Sequence, residues 1–375
     1  MPERILAVTP TVWLAGGPSG QSRLMTTRYD GRQMTLAGWG ATALGERTVD
    51  RQMARFDRRR QQERAQELAA LRAGKQPLTK RERGLAAYLT LRASKGLALD
   101  GELLQRLREA NRSVEETREA LSHGRGNVRS DLKMSLEPGW RVRFIHSQPG
   151  NGWADRAALA MRMAAGNCDE HADVAMAMHA GKLAPGESVQ SLGGKYVKHA
   201  WTETRLADGE RIVIDAWAEG PAVLAADSHF SQQPDNRTEY LSLDPAQGRH
   251  FARQTQAALQ RLNADTALEQ RWQAAKQHAQ QENWRFKQLW APTPVLHPAF
   301  WSEAMARQHH DQVVRQLGKD HVAVEDATPR LEQNDDILAV GAARALGAGV
   351  RQAQEAGEAI IEELDRLWAL NPDSP

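Results

Sequence analysis

Three short segments of this 375-residue chain carry side chains suited to covalent chemistry: Ala165-Gly-Asn-Cys-Asp-Glu-His171, Val197-Lys-His-Ala-Trp-Thr-Glu203 and Ile212-Val-Ile-Asp-Ala-Trp217. Together they supply a thiol, an imidazole and a carboxylate. Cys168 is the only cysteine, so it forms no internal disulfide and assembles no thiolate zinc site. It stands where helical periodicity resumes after Gly166-Asn167. At a helix start the dipole, helped by a neighbouring imidazolium, favours a thiolate. The backbone N–H there can help hold an oxyanion, with Asn167 shaping the tight turn before it. The chemistry implied is nucleophilic acyl transfer, with Cys168 as nucleophile, His199 as base and Asp215 as the group that orients the imidazole. Trp201 and Trp217, each two residues beyond the base and the acid, are expected to support them. No metal or organic cofactor is required. Each residue also has a bland reading as core thiol, satisfied strand histidine or turn aspartate; the catalytic reading rests on their conjunction.

That conjunction depends on register. The β-prone runs Tyr196–Leu206 and Arg211–Trp217 flank Ala207-Asp208-Gly209-Glu210, a hairpin signal. A two-residue loop at Asp208-Gly209 would put His199 and Asp215 on opposite faces of the ribbon. A three-residue loop Ala207–Gly209, with Gly209 in the left-handed position, makes paired positions sum to 416. His199 then faces Trp217, Trp201 faces Asp215, and all four share one face. The three-residue loop is the predicted one.

Other candidates carry open alternatives. Glu203 shares the His199 face and could contact substrate or form a cross-strand charge pair. Arg125, between Gly124 and Gly126, could grip an anion through its fork or hold a structural turn. Cys168, Asp169 and His171 could be read as metal ligands, but the pair at i, i+3 lacks a second half. His309-His310-Asp311 reads as a solvated helix surface.

The elements that must position these residues follow from patterning. Hydrophobic residues make up 41% and charged residues 26% of the chain, which suits a folded protein of two or three units. No apolar run spans a bilayer, so no membrane span is expected. Residues 1–48 read as a flexible leader with one or two short strands, 49–150 as a helical region, 151–240 as the core bearing the three segments, and 241–375 as a helical C-terminal region. Helices are expected over 49–73, 80–94, 101–111, 153–165, 168–180 and about 354–370, with another starting at the capping box Ser113-Val-Glu-Glu116. Residues 245–290 carry long helical patterning, and Ala291–Pro298 reads as a linker. Residues 51–83 hold eleven Lys and Arg against four acids, while 321–375 hold four against eleven. The basic stretch suits a solvated helix face or a contact with the acidic end better than nucleic acid, and no nucleic-acid partner is expected. The expected fold is α+β, a Cys-bearing helix packed on an antiparallel sheet and wrapped by helices from both ends.

The three segments are similar to the papain and transglutaminase-like superfamily, whose nucleophile, base and acid occur in the order Cys, His, Asp. Four motifs bring the match closer. Glu119-Ala-Leu-Ser-His-Gly-Arg-Gly-Asn127, Ala165-Gly-Asn-Cys-Asp-Glu-His-Ala172, His199-Ala-Trp-Thr-Glu203 and the run from Val213 to Phe230 resemble the HopX/AvrPphE family of type III secreted effectors of plant-pathogenic bacteria. The resemblance covers about residues 115–235. It implies a cysteine protease, a transglutaminase or a deamidase, or else a non-catalytic host-target binding protein on the same scaffold, delivered by the type III machinery, with a chaperone as a further partner, into the host cytoplasm or nucleus. There it would act on a host plant protein and perturb immunity. It also implies that the loop Gly124–Asn127 engages a host target. Pro2 stands where an N-myristoylated protein needs glycine, so no lipid anchor is expected there.

Overall fold

The computed structural model describes residues 78, 80–133, 135–149, 152–281, 289–301 and 338–370, and the backbone of short strands between 5 and 35. The helix expected over 49–73 and the trio His309-His310-Asp311 lie outside the described residues. Near the N-terminus β1 (Ile5–Thr9), β2 (Val12–Gly16), β3 (Ser22–Thr27) and β4 (Gln33–Thr35) form an antiparallel sheet in sequence order, four strands rather than one or two. Ile, Val, Leu and Thr within these spans suit strands.

The remainder is mixed α+β. In chain order it runs α1 (Lys80–Ser94), α2 (Gly101–Ala120), β5 (Gly124–Arg125), α3 (Arg129–Leu132), α4 (Glu137–Ser147), α5 (Trp153–Met163), β6 (Ala165–Gly166) and α6 (Cys168–Ala180). Then come β7 (Ser188–Gly194), β8 (Ala200–Arg205), β9 (Arg211–Ile214), β10 (Val223–Leu224), β11 (Arg237–Leu243), α7 (Pro245–Ala264), α8 (Thr266–Gln281) and α9 (Val350–Trp368). Strands β7 to β11 make a five-stranded antiparallel sheet in the order β10-β9-β8-β7-β11. No helix among the described residues is long and apolar enough to cross a membrane.

Helix α6 is buried on every side from Glu170 to Ala177, its polar Glu170, His171 and Asp173 being hydrogen-bonded to His146, Asn167 and Arg156. It serves two apolar clusters. Ala175 joins Leu85, Leu107, Trp201, Ile214 and Ile360, which ties α1, α2, the sheet and α9 together. Val174 and Met176 join Phe144, Met163, Phe251 and Trp272, from α4, α5, α7 and α8. Apart from the half-buried Met178, this central helix meets solvent at its first turn, where Cys168 is partly exposed.

Several expectations are corrected. Residues 101–120 form one helix with no break at Ser113. The Ser113 hydroxyl is satisfied inside the helix by Glu109 O at 3.2 Å and by His179 Nδ1 at 3.0 Å, so it has no need to cap a new one. Val295 and Leu296, expected in a linker, are 1% exposed, and residues 294 and 296 bridge to Glu219 and Ser228. Strands β7 and β11 were not anticipated; their Ser, Gln, Gly and Glu content hides the pattern.

Candidate active site

The chain reaches Cys168 through a strand rather than a free loop. β6 pairs in parallel with β5, Gly124 opposite Ala165 and Arg125 opposite Gly166, and Gly126 N–H donates to Gly166 O at 3.1 Å. Asn167 then caps α6. Its N–H donates to Glu170 Oε2 at 2.7 Å, and its carbonyl accepts from His171 N at 3.0 Å and His171 Nδ1 at 2.7 Å. Its side-chain oxygen is buried without a hydrogen-bond partner. First-turn N–H groups have no partner within a helix, which leaves the Cys168 amide free of the α6 ladder. His171 faces back onto the cap, and burial lowers it to about 4, so it is neutral and directed away from the ligand set considered with Cys168 and Asp169. A different trio, His146, Asp169 and Glu170, brings potential ligating atoms within 4.8 Å of one another. There Glu170 Oε1 already bonds His146 Nε2 at 2.9 Å.

The hairpin has the odd loop. Thr202 pairs with Ile214 and Arg205 with Arg211, Leu206 N–H donates to Glu210 O at 2.8 Å, and Gly209 has φ +93°. Each pair sums to 416. The ladder nevertheless ends at Thr202–Ile214, so the expected pairs Trp201–Asp215 and His199–Trp217 lie past it. What joins the two ends is a side-chain bond: His199 Nε2 donates to Asp215 Oδ2 at 2.6 Å, both groups being buried.

Beyond Asp215 the chain leaves the sheet, and every exposed backbone group needs a new partner. Asp215 Oδ1 accepts from Trp217 N at 3.1 Å and Ala218 N at 3.0 Å. The carbonyls are taken by two arginines. Arg118 donates to Ala216, Ala218 and Gly220, and Arg125 Nη1 donates to Trp217 O at 2.7 Å. This clamp fixes the carboxylate that fixes the imidazole.

Aromatic rings enclose His199. Trp201 lies parallel at 5.9 Å, Trp217 at 4.8 Å and Phe230 at 4.1 Å between centroids. Burial pushes the imidazole down, but the Asp215 carboxylate and the nearby Cys168 thiol lift it to about 9. Burial raises the Asp215 carboxyl, and the His199 charge overrides this to hold it low. His199 Nδ1 is buried without a hydrogen-bond partner, the lone pair on the side away from Asp215. The arrangement can therefore hold a proton on imidazole while a carboxylate keeps the ring in one tautomer.

Arg125 and Glu203 both spend their charges on partners within the fold. Arg125 is 9% exposed and every guanidinium nitrogen is engaged: Nε and Nη2 with Asp131 at 2.9 and 2.8 Å, Nη2 with Glu219 at 2.8 Å, Nη1 with Trp217 O. Its fork is engaged within the fold, and its loop runs beside the strand that leads to Cys168. Gly124 (φ +92°) and Gly126 let the loop in; a Cβ on Gly126 would meet Val142 Cγ2 at 2.6 Å. Glu203 is wholly buried, accepting from Trp201 Nε1 at 2.8 Å and pairing with Arg211 and Arg237 at 3.3 and 3.4 Å. It makes the cross-strand charge pair.

Sequence reasoning missed Arg118, Asp131 and Phe230 as parts of the site. Phe230 closes the motif run from Val213, but nothing short-range marks its ring as a wall for His199. Comparison with known protein families, with curated proteins and with solved structures finds no match for this chain.

Proposed function

We propose that this chain is a cysteine-dependent acyl hydrolase or transferase with Cys168, His199 and Asp215 as nucleophile, base and orienting acid, on a papain or transglutaminase-like core. The observation that carries this reading is the buried 2.6 Å bond between His199 and Asp215, with the other ring nitrogen unpartnered and the thiol of Cys168 near. In the reaction His199 takes the Cys168 proton, the sulfur attacks an amide carbonyl, and the oxyanion meets the first-turn N–H of α6. Collapse expels the amine, which receives the proton from the imidazolium, and leaves a thioester on Cys168. Water then yields an acid, as in a protease or deamidase; an amine yields a new amide, as in a transglutaminase. The resemblance of the four motifs to HopX/AvrPphE effectors supports a host plant protein as substrate, after type III delivery.

The test is the pH profile of iodoacetamide alkylation followed by intact mass, where the sole thiol makes the signal unambiguous. Wild type should label rapidly at pH 6, and His199→Ala should lose that reactivity while retaining its melting transition. Equal profiles for the two proteins would overturn the reading.

A further inference from the structure

One loop reaches both halves of the site. Its backbone runs beside Ala165-Gly166, the two residues that lead to Asn167 and Cys168. Its side chains hold Trp217 at two points: Arg125 Nη1 donates to the Trp217 carbonyl at 2.7 Å, and Asn127 Oδ1 accepts from the Trp217 indole Nε1 at 3.0 Å. A third bond ties Trp217 N–H to Asp215 Oδ1 at 3.1 Å. With carbonyl, amide and indole all held, the ring has one orientation, and that ring lies 4.8 Å from His199. The loop is itself held. Asp131 grips Arg125 from below the turn, and the carbonyl of Asn127 accepts from Trp290 N at 2.8 Å.

We infer that Asn127 is a positioning residue of the proposed reaction, acting through the Trp217 indole to set the His199 ring plane against the Cys168 thiol. The inference rests on the thiol-chemistry reading above and deepens it: the loop 124–127 serves the site's own geometry, and the two halves of the site move as one because a single turn spans them. Trp217 alone could stack on the imidazole from several rotamers. An acceptor at Asn127 selects one of them.

The experiment compares iodoacetamide labelling at pH 6 for wild type, Asn127→Leu, Asn127→Asp and His199→Ala, each with a thermal melt. Leucine keeps the volume and removes the acceptor; aspartate keeps an acceptor oxygen. Asn127→Leu should label about tenfold more slowly, the effect of one lost hydrogen bond, and Asn127→Asp should restore the wild-type profile. If Asn127→Leu fails to fold, Trp217→Phe keeps a ring and removes the N–H, and should show the same loss. Wild-type labelling by Asn127→Leu together with slow labelling by His199→Ala would overturn the inference and leave the thiol chemistry standing. Equal slowing in the leucine and aspartate variants would overturn it too, since the acceptor would then not be what matters. Wild-type labelling by His199→Ala would remove the reaction and the positioning role together.

Discussion

Replacing Asp215 with asparagine should reverse the tautomer of His199 while leaving the fold in place. The asparagine oxygen can keep the Trp217 and Ala218 N–H bonds, now at 3.1 and 3.0 Å to Oδ1. Its NH2 then occupies the position of Oδ2, which lies 2.6 Å from His199 Nε2. Two donors cannot face each other, so the ring proton moves to Nδ1 and blocks the lone pair that would accept from Cys168. The charge is lost as well. Without the carboxylate, burial pulls the imidazole down from about 9 towards its ordinary value, with only the Cys168 thiol still lifting it. At 1.36 kcal/mol per pH unit, that difference is at most about 3 kcal/mol of preference for the imidazolium, or roughly two orders of magnitude in the ratio of imidazolium to imidazole. Iodoacetamide labelling of Asp215→Asn at pH 6 to 7 should therefore slow by about a hundredfold and recover at alkaline pH. Stability gives an independent sign. His199 is raised, so its contribution is complete below about 6.5 and is lost as pH rises through about 9. Asp215 is held low, so its contribution is present above the ordinary carboxylate range and lost as pH falls through its depressed value. The melting difference between wild type and Asp215→Asn should peak between these limits. A flat difference across pH 4 to 10, with unchanged labelling, would refute the pairing as the source of either effect.

Glu203 is held up to about 7 by burial, against the pull of Trp201 N–H and Arg211. Its proton is bound more tightly in the folded state, so it removes stability as pH rises from about 4.5 towards 7. Glu203→Gln should flatten that slope and raise the thermal midpoint at pH 8 by a few degrees, with Cys168 labelling unchanged; a lower midpoint at pH 8 would sink the sign. Gly126→Ala puts a Cβ 2.6 Å from Val142 Cγ2 and 3.0 Å from Pro138 O. Urea unfolding should show a loss of about 1–3 kcal/mol, and labelling at pH 6 should slow with it because Gly126 also anchors Gly166.

What was legible in the sequence is what local rules decide. The helix over 80–94, the helix starting at Cys168 and the left-handed Gly209 each follow from periodicity or turn chemistry within a few residues. Loop parity then fixed the hairpin register, because a strand's side chains alternate and one residue of slip exchanges its faces. The capping box at Ser113 failed for a tertiary reason: His179, 66 residues away, and the Glu109 carbonyl offer the hydroxyl better use inside the helix. Residues 291–298 read as a linker because prolines mark them as non-helical, and nothing local shows that a non-helical segment will be buried against Glu219 and Ser228.

Arg125 shows why a residue's partners are less legible in a sequence than its chemical type. Cys168, His199 and Asp215 are recognisable because each is a chemical type in a suitable local setting. Arg125 between two glycines is equally well set to bind an anion or to hold a turn, and the choice lies wholly in where its nitrogens end. They end on residues 6, 92 and 94 positions away. Such partners leave no spacing pattern in one sequence, since loop length costs little and any distance is allowed. Its purpose becomes clear only from the carbonyls it satisfies: a chain that leaves a sheet after a buried aspartate carries orphan acceptors, and Arg118 and Arg125 are what allow Asp215 to stand there at all.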